Sequence, residues 1–335
     1  MTKNEKYWQA RTAQRMWEHM QSAEETADQV AKVYAKASLY LSREMQDIFK
    51  KYVEKHHLTE KEALQLLNTL RDRTSIEELR QRLQSSSQKQ EIADLLAELE
   101  APAYQARTQR LQELQTQIDL VMQQVYKQEQ AITTAHYIQL AEEAYNRSIF
   151  DIQQRTGFGF SFSHIDQKQV DKVLKSKWSG MNYSERVWRN TRAVAQEVKE
   201  ALLVNLITGR TERETAEMLT KKFAGGSSKA RRLIRTESCY LSNQLEMESY
   251  KECGIDKYQY LATLDLRTSE ICRELDGKVF LMKDQQPGKN CPPMHPWCRS
   301  TTIAIIGEKM LEGMKRRARD PVTGKTYLVP ASMNY

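Results

Sequence analysis

Three cysteines and one histidine between residues 272 and 298 are the side chains best suited to hold a metal ion. Cys272 is followed by Cys291, His295 and Cys298, and prolines stiffen the segment that carries the last three. Thiolate sulfurs and imidazole nitrogens are the usual ligands of tetrahedral zinc sites. The four residues therefore predict one structural zinc ion, because four protein ligands leave no open position for catalysis.

The same residues allow two other interpretations. The spacing Cys-x3-His-x2-Cys is not one of the strong zinc-finger patterns. Cysteine packs well as a small buried hydrophobic residue. Cys272 and Cys291 could therefore be core residues, with His295 making a satisfied hydrogen bond. A disulfide is the third interpretation.

Two basic runs have the composition of a surface that neutralises nucleic-acid phosphates. The first run contains Lys221, Lys222, Lys229, Arg231 and Arg232, and the second contains Lys315, Arg316, Arg317 and Arg319. Binding through such residues weakens steeply as the salt concentration rises. Each run could also be a solvated helix face, but the net charge of +7 and the pI near 9.0 favour contact with DNA.

No catalytic residue is predicted. The sequence has no Walker motif, dinucleotide-binding glycine pattern, His-Glu-x-x-His motif or nucleophile elbow. Arg235 and Glu237 lie in the middle of a predicted helix, where they could anchor a buried polar network or form a catalytic pair. Residues 209–223, between two helices, have the pattern of a helix-turn-helix, which generic helical hairpins share.

Composition divides the chain of 335 residues into two parts. A long part rich in Gln, Ala, Glu and Lys precedes a compact part with turns, and all five cysteines fall in the last hundred residues. No apolar run approaches the ~18 residues that a membrane span needs, and the first residues do not have the pattern of a secretory signal. The cysteines are therefore expected to be thiols or metal ligands in a reducing cytoplasm.

Hydrophobic periodicity predicts the elements that position these residues. One helix is expected over about residues 5–54 and another from Pro102 to about Gln154, packed as an extended antiparallel pair, with a coiled-coil dimer as the alternative. Short helices are expected from Thr59, Ser75 and Ile92, and a turn at residues 157–162.

Further helices are expected over about residues 165–178, 183–206, 211–223 and 228–252, with a flexible break at residues 225–228. Strands are expected near residues 258–263, 279–281 and 301–306. The predicted fold is mostly α, a long antiparallel helical rod followed by a compact domain with a short β-sheet. The predicted parts are residues 1–156 (helical), 157–253 (helical part of the compact domain), 254–307 (Cys/His module) and 308–335 (basic tail).

An ordered series of short motifs resembles the Mu F-like minor head protein family of tailed bacteriophages, also called phage head morphogenesis proteins. The motifs are, in chain order, Arg235-Thr236-Glu237; Gly254-Ile255 before a tyrosine-rich strand; Asp265-x-Arg267-Thr268; Cys272; Leu275-Asp276-Gly277-Lys278-Val279-Phe280; and Pro292-Pro293-x-His295-Pro296-x-Cys298-Arg299. The resemblance covers roughly residues 190–306. It assigns structural roles to Arg235, Glu237, Asp265, Arg267, Asp276 and Gly277.

This resemblance implies a virion component present in few copies. Its expected partners are the phage portal protein, double-stranded DNA and a major capsid or scaffolding protein, with no membrane during assembly. Its expected location is the capsid interior near the portal, after assembly in the host cytoplasm, with a role in head assembly, DNA packaging or genome delivery.

The sequence departs from the family pattern at two positions. Many members have cysteine where this chain has Ser269 and Ser300, so a paired-cysteine site is incomplete, and Cys291 is the residue that could compensate. A metal-dependent nuclease or a toxin-like enzyme of the phage head remains the alternative function.

Overall fold

The structure, a computed structural model, describes residues 3–55, 102–157, 165–207, 212–307, 315–319 and 326–330. Most of these residues are helical, which confirms the predicted fold class. The helices are α1 (Lys3–Lys55), α2 (Pro102–Thr156), α3 (Gln167–Lys175), α4 (Tyr183–Ile207), α5 (Glu212–Glu252) and α6 (Glu270–Leu275). None of the helices in these ranges is both long enough and apolar enough to cross a membrane.

A small antiparallel sheet follows α5. Its strands are β1 (Lys257–Leu261), β2 (Val279–Leu281) and β3 (Thr301–Ile305), with β1 in the centre. Tyr258 of β1 lies opposite Phe280 of β2 and Ala304 of β3. The three strand positions predicted from alternation and aromatic content are therefore confirmed. A separate antiparallel ladder pairs β4 (Lys315–Arg319) with β5 (Thr326–Pro330).

Several predicted features lie outside the described residues. These are the short helices from Thr59, Ser75 and Ile92, the turn after Gly157 and residues 209–211 of the predicted helix-turn-helix. The long helices agree with the spacing of their apolar residues: α1 and α2 begin and end within two residues of the predicted bounds. Helix α4 also covers the predicted range.

The chain separates into two compact units, each built from segments that are distant in the sequence. The first comprises Met1–Gln29, Ala131–Arg186 and Arg231–Tyr335, and the second comprises Val30–Gln130 and Val187–Ala230. The four consecutive domains expected from the sequence stay a prediction.

The first unit contains the antiparallel pairing of α1 with α2. Arg11 of α1 pairs with Asp151 of α2 at 2.7 Å, and Glu18, further along α1, pairs with Arg147, further back along α2, at 2.6 Å. Apolar side chains of α2 and α5 form the core, and they include Leu140, Ala144, Ile149, Leu241 and Leu245. The predicted antiparallel arrangement is therefore confirmed within this unit.

In the second unit, the absence of a side chain at Gly226 allows α5 to pack closely against Tyr34 and Val194. Gly226 lies so close to Tyr34 and Val194 that an added Cβ would meet Cε1 of Tyr34 at 2.8 Å and Cγ2 of Val194 at 2.6 Å. The break predicted at residues 225–228 is wrong, because α5 runs without interruption from Glu212 to Glu252. Two glycines cost roughly 1 kcal/mol each in a helix interior, and close packing of α5 against Tyr34 and Val194 offsets that local cost.

Candidate metal centre

The Cys272, His295 and Cys298 side chains meet at one point in the first unit. Their ligand atoms all lie within 4.8 Å of one another, and we call these three residues the Cys-His-Cys cluster. Cys272 comes from the short helix α6, whose first turn is capped by the Ser269 hydroxyl. His295 and Cys298 come from the proline-rich segment that leads into β3. Three of the four predicted ligands are thus brought together.

The spacing of these atoms fits one tetrahedral zinc ion. Zn–S bonds of about 2.3 Å and Zn–N bonds of about 2.0–2.1 Å imply S···S and S···N edges of about 3.8 and 3.6 Å in a tetrahedron. Cys272 Sγ lies 3.9 Å from Cys298 Sγ and 3.4 Å from His295 Nε2. An ion therefore needs only small shifts of these side chains.

The imidazole of His295 has the tautomer that a metal ligand requires. Its Nδ1 lies 2.7 Å from the carbonyl oxygen of Pro296. A carbonyl oxygen only accepts hydrogen bonds, so Nδ1 is the donor, and the tautomer with its proton on Nδ1 has its lone pair on Nε2. Nε2 is the atom that faces Cys272. A second ring nitrogen bonded to a backbone carbonyl is the usual support for a metal-binding histidine.

The electrostatic environment of the thiols also bears on metal binding. The hydrogen bond with Cys298, and then burial, raises the pKa of Cys272 to about 12. A hydrogen bond with Cys239, together with burial, raises the pKa of Cys298 to about 11. At neutral pH these groups are thiols unless a cation stabilises the thiolates, so binding of a metal is expected to release protons.

Cys291, the fourth predicted ligand, does not belong to the Cys-His-Cys cluster. Its backbone closes a tight turn with Gln286 and Gly288, which directs the side chain into a different apolar core, that of α2, α5 and Tyr258. Its Sγ accepts a hydrogen bond from Gln244 Nε2 at 3.7 Å. The sequence placed it with the others because it is near them along the chain.

Cys239 borders the cluster instead, and sequence reasoning missed it. It shares a small core with Cys272 and Cys298, and its Sγ lies 3.6 Å from the carbonyl oxygen of Ser300. The only signal was that Cys239 is one of five cysteines in the last hundred residues.

One face of α5 holds the segment that carries His295 and Cys298. Four side chains of α5, at intervals of seven, three and four residues, bond to successive residues of that segment and of β3. The pairs are Thr236 Oγ1 with Trp297 N (3.2 Å), Asn243 Nδ2 with Ser300 O (3.3 Å), Glu246 Oε2 with Thr301 Oγ1 (3.2 Å) and Tyr250 Oη with Thr302 O (3.1 Å). The helical period thus matches the path of the segment, which fixes the position of two ligands.

Residues 196–303 match the family model described as phage Mu protein F like protein. We call residues 196–303 the Mu F-like domain because of this similarity. The matched range contains α5, β1, β2 and the Cys-His-Cys cluster, and it confirms the resemblance to the phage head morphogenesis family.

The chain is also similar to a protein described as the NAD(+)–arginine ADP-ribosyltransferase EFV of Enterococcus faecalis. It is 24% identical over 256 residues, which are 72% of this chain and 51% of that protein. The chain thus spans about half the length of this relative. No solved structure matches.

The motif residues of the Mu F-like domain fix its turns. Asp265 accepts two hydrogen bonds from the Arg299 guanidinium, at 2.5 and 2.8 Å, and these lower the pKa of its carboxyl. Asp276 Oδ1 accepts from the backbone N–H of Ala262 at 2.8 Å. Gly277 has a φ of 75°, a conformation that glycine adopts without a steric penalty. Arg267 is exposed.

Arg235 and Glu237 have different partners, all of which lie in the first unit. Glu237 is buried, pairs with Arg186 at 3.2 Å and accepts a hydrogen bond from Trp178 Nε1 at 3.2 Å. Arg235 pairs with Glu24 of α1 and stacks on the ring of Trp297 with 5.5 Å to its centroid. These contacts are those of a packing network.

Several basic residues of the first predicted DNA-binding run already have carboxylate partners. In the second unit, Lys229 and Lys222 both pair with Glu197, at 3.0 and 3.6 Å. In the first unit, Arg231 pairs with Glu24 and Asp28.

The remaining basic residues are Lys221 and Arg232 of the first run and the four of the second. Lys221 and Arg232 are exposed and form no ion pair with the described residues. For Lys315, Arg316, Arg317 and Arg319 the structure gives the backbone of β4.

Proposed function

We propose that this protein is a minor head protein of a tailed bacteriophage, which enters the particle during head assembly and associates with the portal vertex. The observation that carries the proposal is the match of residues 196–303 to the phage Mu protein F-like family. A structural role agrees with the dense hydrogen bonding around the Cys-His-Cys cluster, which holds the segment in one place. Its further partners would be a major capsid or scaffolding protein.

Mass spectrometry of purified phage particles tests this proposal. Peptides from this chain are expected at a few copies per particle, and cross-linking is expected to join them to the portal protein. Particles that contain no such peptides, from a phage whose infected cells do contain the protein, would exclude a virion component.

Contact with double-stranded DNA is the second part of the proposal. Lys221 and Arg232 are exposed and free of ion pairs with the described residues, whereas Lys229 is paired with Glu197. Each phosphate contact contributes a slope of about −0.9 to a plot of log affinity against log salt concentration. The proposal therefore expects sequence-independent binding that weakens as salt rises.

Binding measured at several salt concentrations distinguishes these residues. The double variant Lys221→Ala/Arg232→Ala is expected to make the salt slope shallower by about 2 if both contact phosphate. Lys229→Ala is the matched control and should change the salt slope less, because Lys229 is paired with Glu197. Affinity that does not depend on salt would rule out phosphate contact.

The Cys-His-Cys cluster is proposed to bind zinc in a structural role. Cys272 would connect α6 to the segment of His295 and Cys298, so that one ion joins two parts of the Mu F-like domain. Elemental analysis of protein purified without added metal tests this. We expect about one zinc ion per chain, and a large loss of zinc in Cys298→Ser.

The printed name of the Enterococcus relative favours one other candidate, transfer of ADP-ribose from NAD⁺ to arginine. This candidate predicts that labelled NAD⁺ modifies arginine residues of added protein substrates. The structural proposal predicts no incorporation of label, so one assay separates the two.

A further inference from the structure

We propose that Cys239 is the fourth ligand of the metal ion, which makes the centre a closed Cys3His site. This inference rests on the proposed zinc site and names the residue that completes it. It replaces Cys291, which the sequence favoured, with a cysteine that lies outside the cysteine-rich segment.

Cys239 is next to the Cys-His-Cys cluster on its interior side. It packs in the same small core as Cys272 and Cys298. Its side chain is fully buried, whereas His295 is partly exposed and lines an open cleft. The cluster therefore has a solvent side, where the histidine lies, and an interior side, where a cysteine is the nearest additional ligand.

The core around these thiols offers one further soft ligand for the fourth position. Its other buried residues are Met16 and Met20 of α1 and Tyr260. Zinc in structural sites is bound by cysteine thiolates, histidine nitrogens and carboxylates. Cys239 is the residue of this core, besides Cys272 and Cys298, whose side chain belongs to that set.

Cys239 would reach the ion by rotation of its side chain. Its Sγ is outside the group whose ligand atoms lie within 4.8 Å of one another, and its thiol donates to the Ser300 carbonyl at 3.6 Å. Metal binding displaces the thiol proton, which removes that hydrogen bond. Rotation about the Cα–Cβ bond then directs Sγ towards Cys298.

Outer hydrogen bonds support both interior thiols. Asn243 Nδ2 lies 3.7 Å from Cys239 Sγ, and the Tyr260 hydroxyl lies 3.2 Å from Cys272 Sγ. Donors of this kind stabilise thiolates and orient metal ligands. With Cys239 included, the ion joins α5, α6 and the segment before β3, which are three separate parts of the domain.

Cobalt substitution of the full-length protein, kept reduced, tests the assignment. Tetrahedral Co²⁺ gives a sulfur-to-metal charge-transfer band whose intensity rises with the number of thiolates. Wild type and Cys291→Ser are expected to give the same three-thiolate spectrum. Cys239→Ser is expected to lose about one third of that intensity and to bind Zn²⁺ at least tenfold more weakly. An unchanged Cys239→Ser spectrum and affinity would overturn the proposal.

X-ray absorption of the zinc-loaded protein is a second measurement that does not depend on the folding of Cys239→Ser. Three sulfurs and one nitrogen are expected in both wild type and Cys291→Ser, whereas two sulfurs in wild type would refute Cys239. If wild-type protein binds no metal at all, the zinc site and the Cys239 assignment both fail, but the virion proposal stands. If Cys298→Ser abolishes binding and Cys239→Ser does not alter it, only the Cys239 assignment fails.

Discussion

Arg15 of α1 and Glu246 of α5 form a buried ion pair, with 3.0 Å between Arg15 Nη2 and Glu246 Oε1, although 231 positions separate them in the sequence. Asp151 of α2 is a second partner of the same guanidinium, and Glu246 also bonds to Thr301 of β3. The first helix is therefore part of the same unit as the sheet of the Mu F-like domain.

Replacement of Arg15 by methionine should destabilise this unit strongly. The substitution keeps much of the side-chain volume but leaves Glu246 buried without its cation, which costs about 3–5 kcal/mol of unfolding free energy. Urea denaturation measures the change. Arg11→Met is the control, because Arg11 also pairs with Asp151 but is 37% exposed, so its loss should cost less than about 1 kcal/mol. Equal losses in the two variants would contradict the assigned role of Arg15.

Alanine substitutions at the two neighbouring glycines of α5 should have effects of opposite sign. Gly226→Ala places a Cβ 2.6 Å from Val194 Cγ2, and such overpacking costs about 1–3 kcal/mol. Gly225 has no atom within 4 Å of an added Cβ, so Gly225→Ala should stabilise the helix by up to about 1 kcal/mol. Thermal or urea denaturation of both variants checks this. Stabilisation by Gly226→Ala would show that the close approach to Tyr34 does not exist.

Glu129 should make the stability of the second unit depend on pH. Its carboxyl is buried and accepts a hydrogen bond from Tyr34 Oη at 2.8 Å, and burial raises its pKa from 4.5 to about 7. A raised pKa means that the folded state holds the proton more tightly than the unfolded state. The resulting stabilisation is complete below pH 4.5 and is lost as the pH rises through 7.

Glu129→Gln removes this titration and keeps an acceptor for Tyr34. The variant should exceed wild type in unfolding free energy by about 1–3 kcal/mol at pH 8, since one pKa unit corresponds to roughly 1.4 kcal/mol, and the difference should shrink towards pH 5. Urea denaturation at both pH values measures it. Glu217→Gln, at a carboxyl that is 64% exposed, should leave the pH dependence as it is in wild type.

Tyr260→Phe should weaken zinc binding without disturbing the sheet. It removes the hydroxyl that donates to Cys272 Sγ at 3.2 Å, and loss of such an outer hydrogen bond typically lowers metal affinity by about 10–100-fold. Competition with a chelating dye measures the affinity. Tyr258→Phe is the matched control, because Tyr258 is equally buried on β1 but donates to the Asn290 carbonyl at 3.4 Å. If both variants bind zinc as wild type does, the Tyr260 contact has no role at the site.

The sequence predicted well those features that depend on neighbours along the chain. The apolar stripes of α1 and α2 gave two long helices with accurate ends, because a helix buries residues at a period that can be counted from the sequence. Alternation and aromatic content located the three strands for the same reason. The order of the short motifs indicated the resemblance to the Mu F-like family that residues 196–303 show.

Glycine content at residues 225–228 gave a wrong prediction for a physical reason. Local propensity counts only the cost of ordering a glycine, whereas the gain from packing Gly226 against Tyr34 and Val194 comes from residues far away in the sequence. That packing energy can be recognised only from the tertiary structure, which brings Tyr34 and Val194 next to Gly226.

The sequence by itself determined the residue types of the metal centre, and three of its four predicted ligands do meet. Only the tertiary structure decided that Cys291 enters another core and that Cys239 takes the place beside Cys298. Residues that are close along the chain come together at a low cost in loop-closure entropy. The direction of each side chain, however, depends on the helix or turn that carries it. A turn points Cys291 away from the cluster, and α5 carries Cys239 to it.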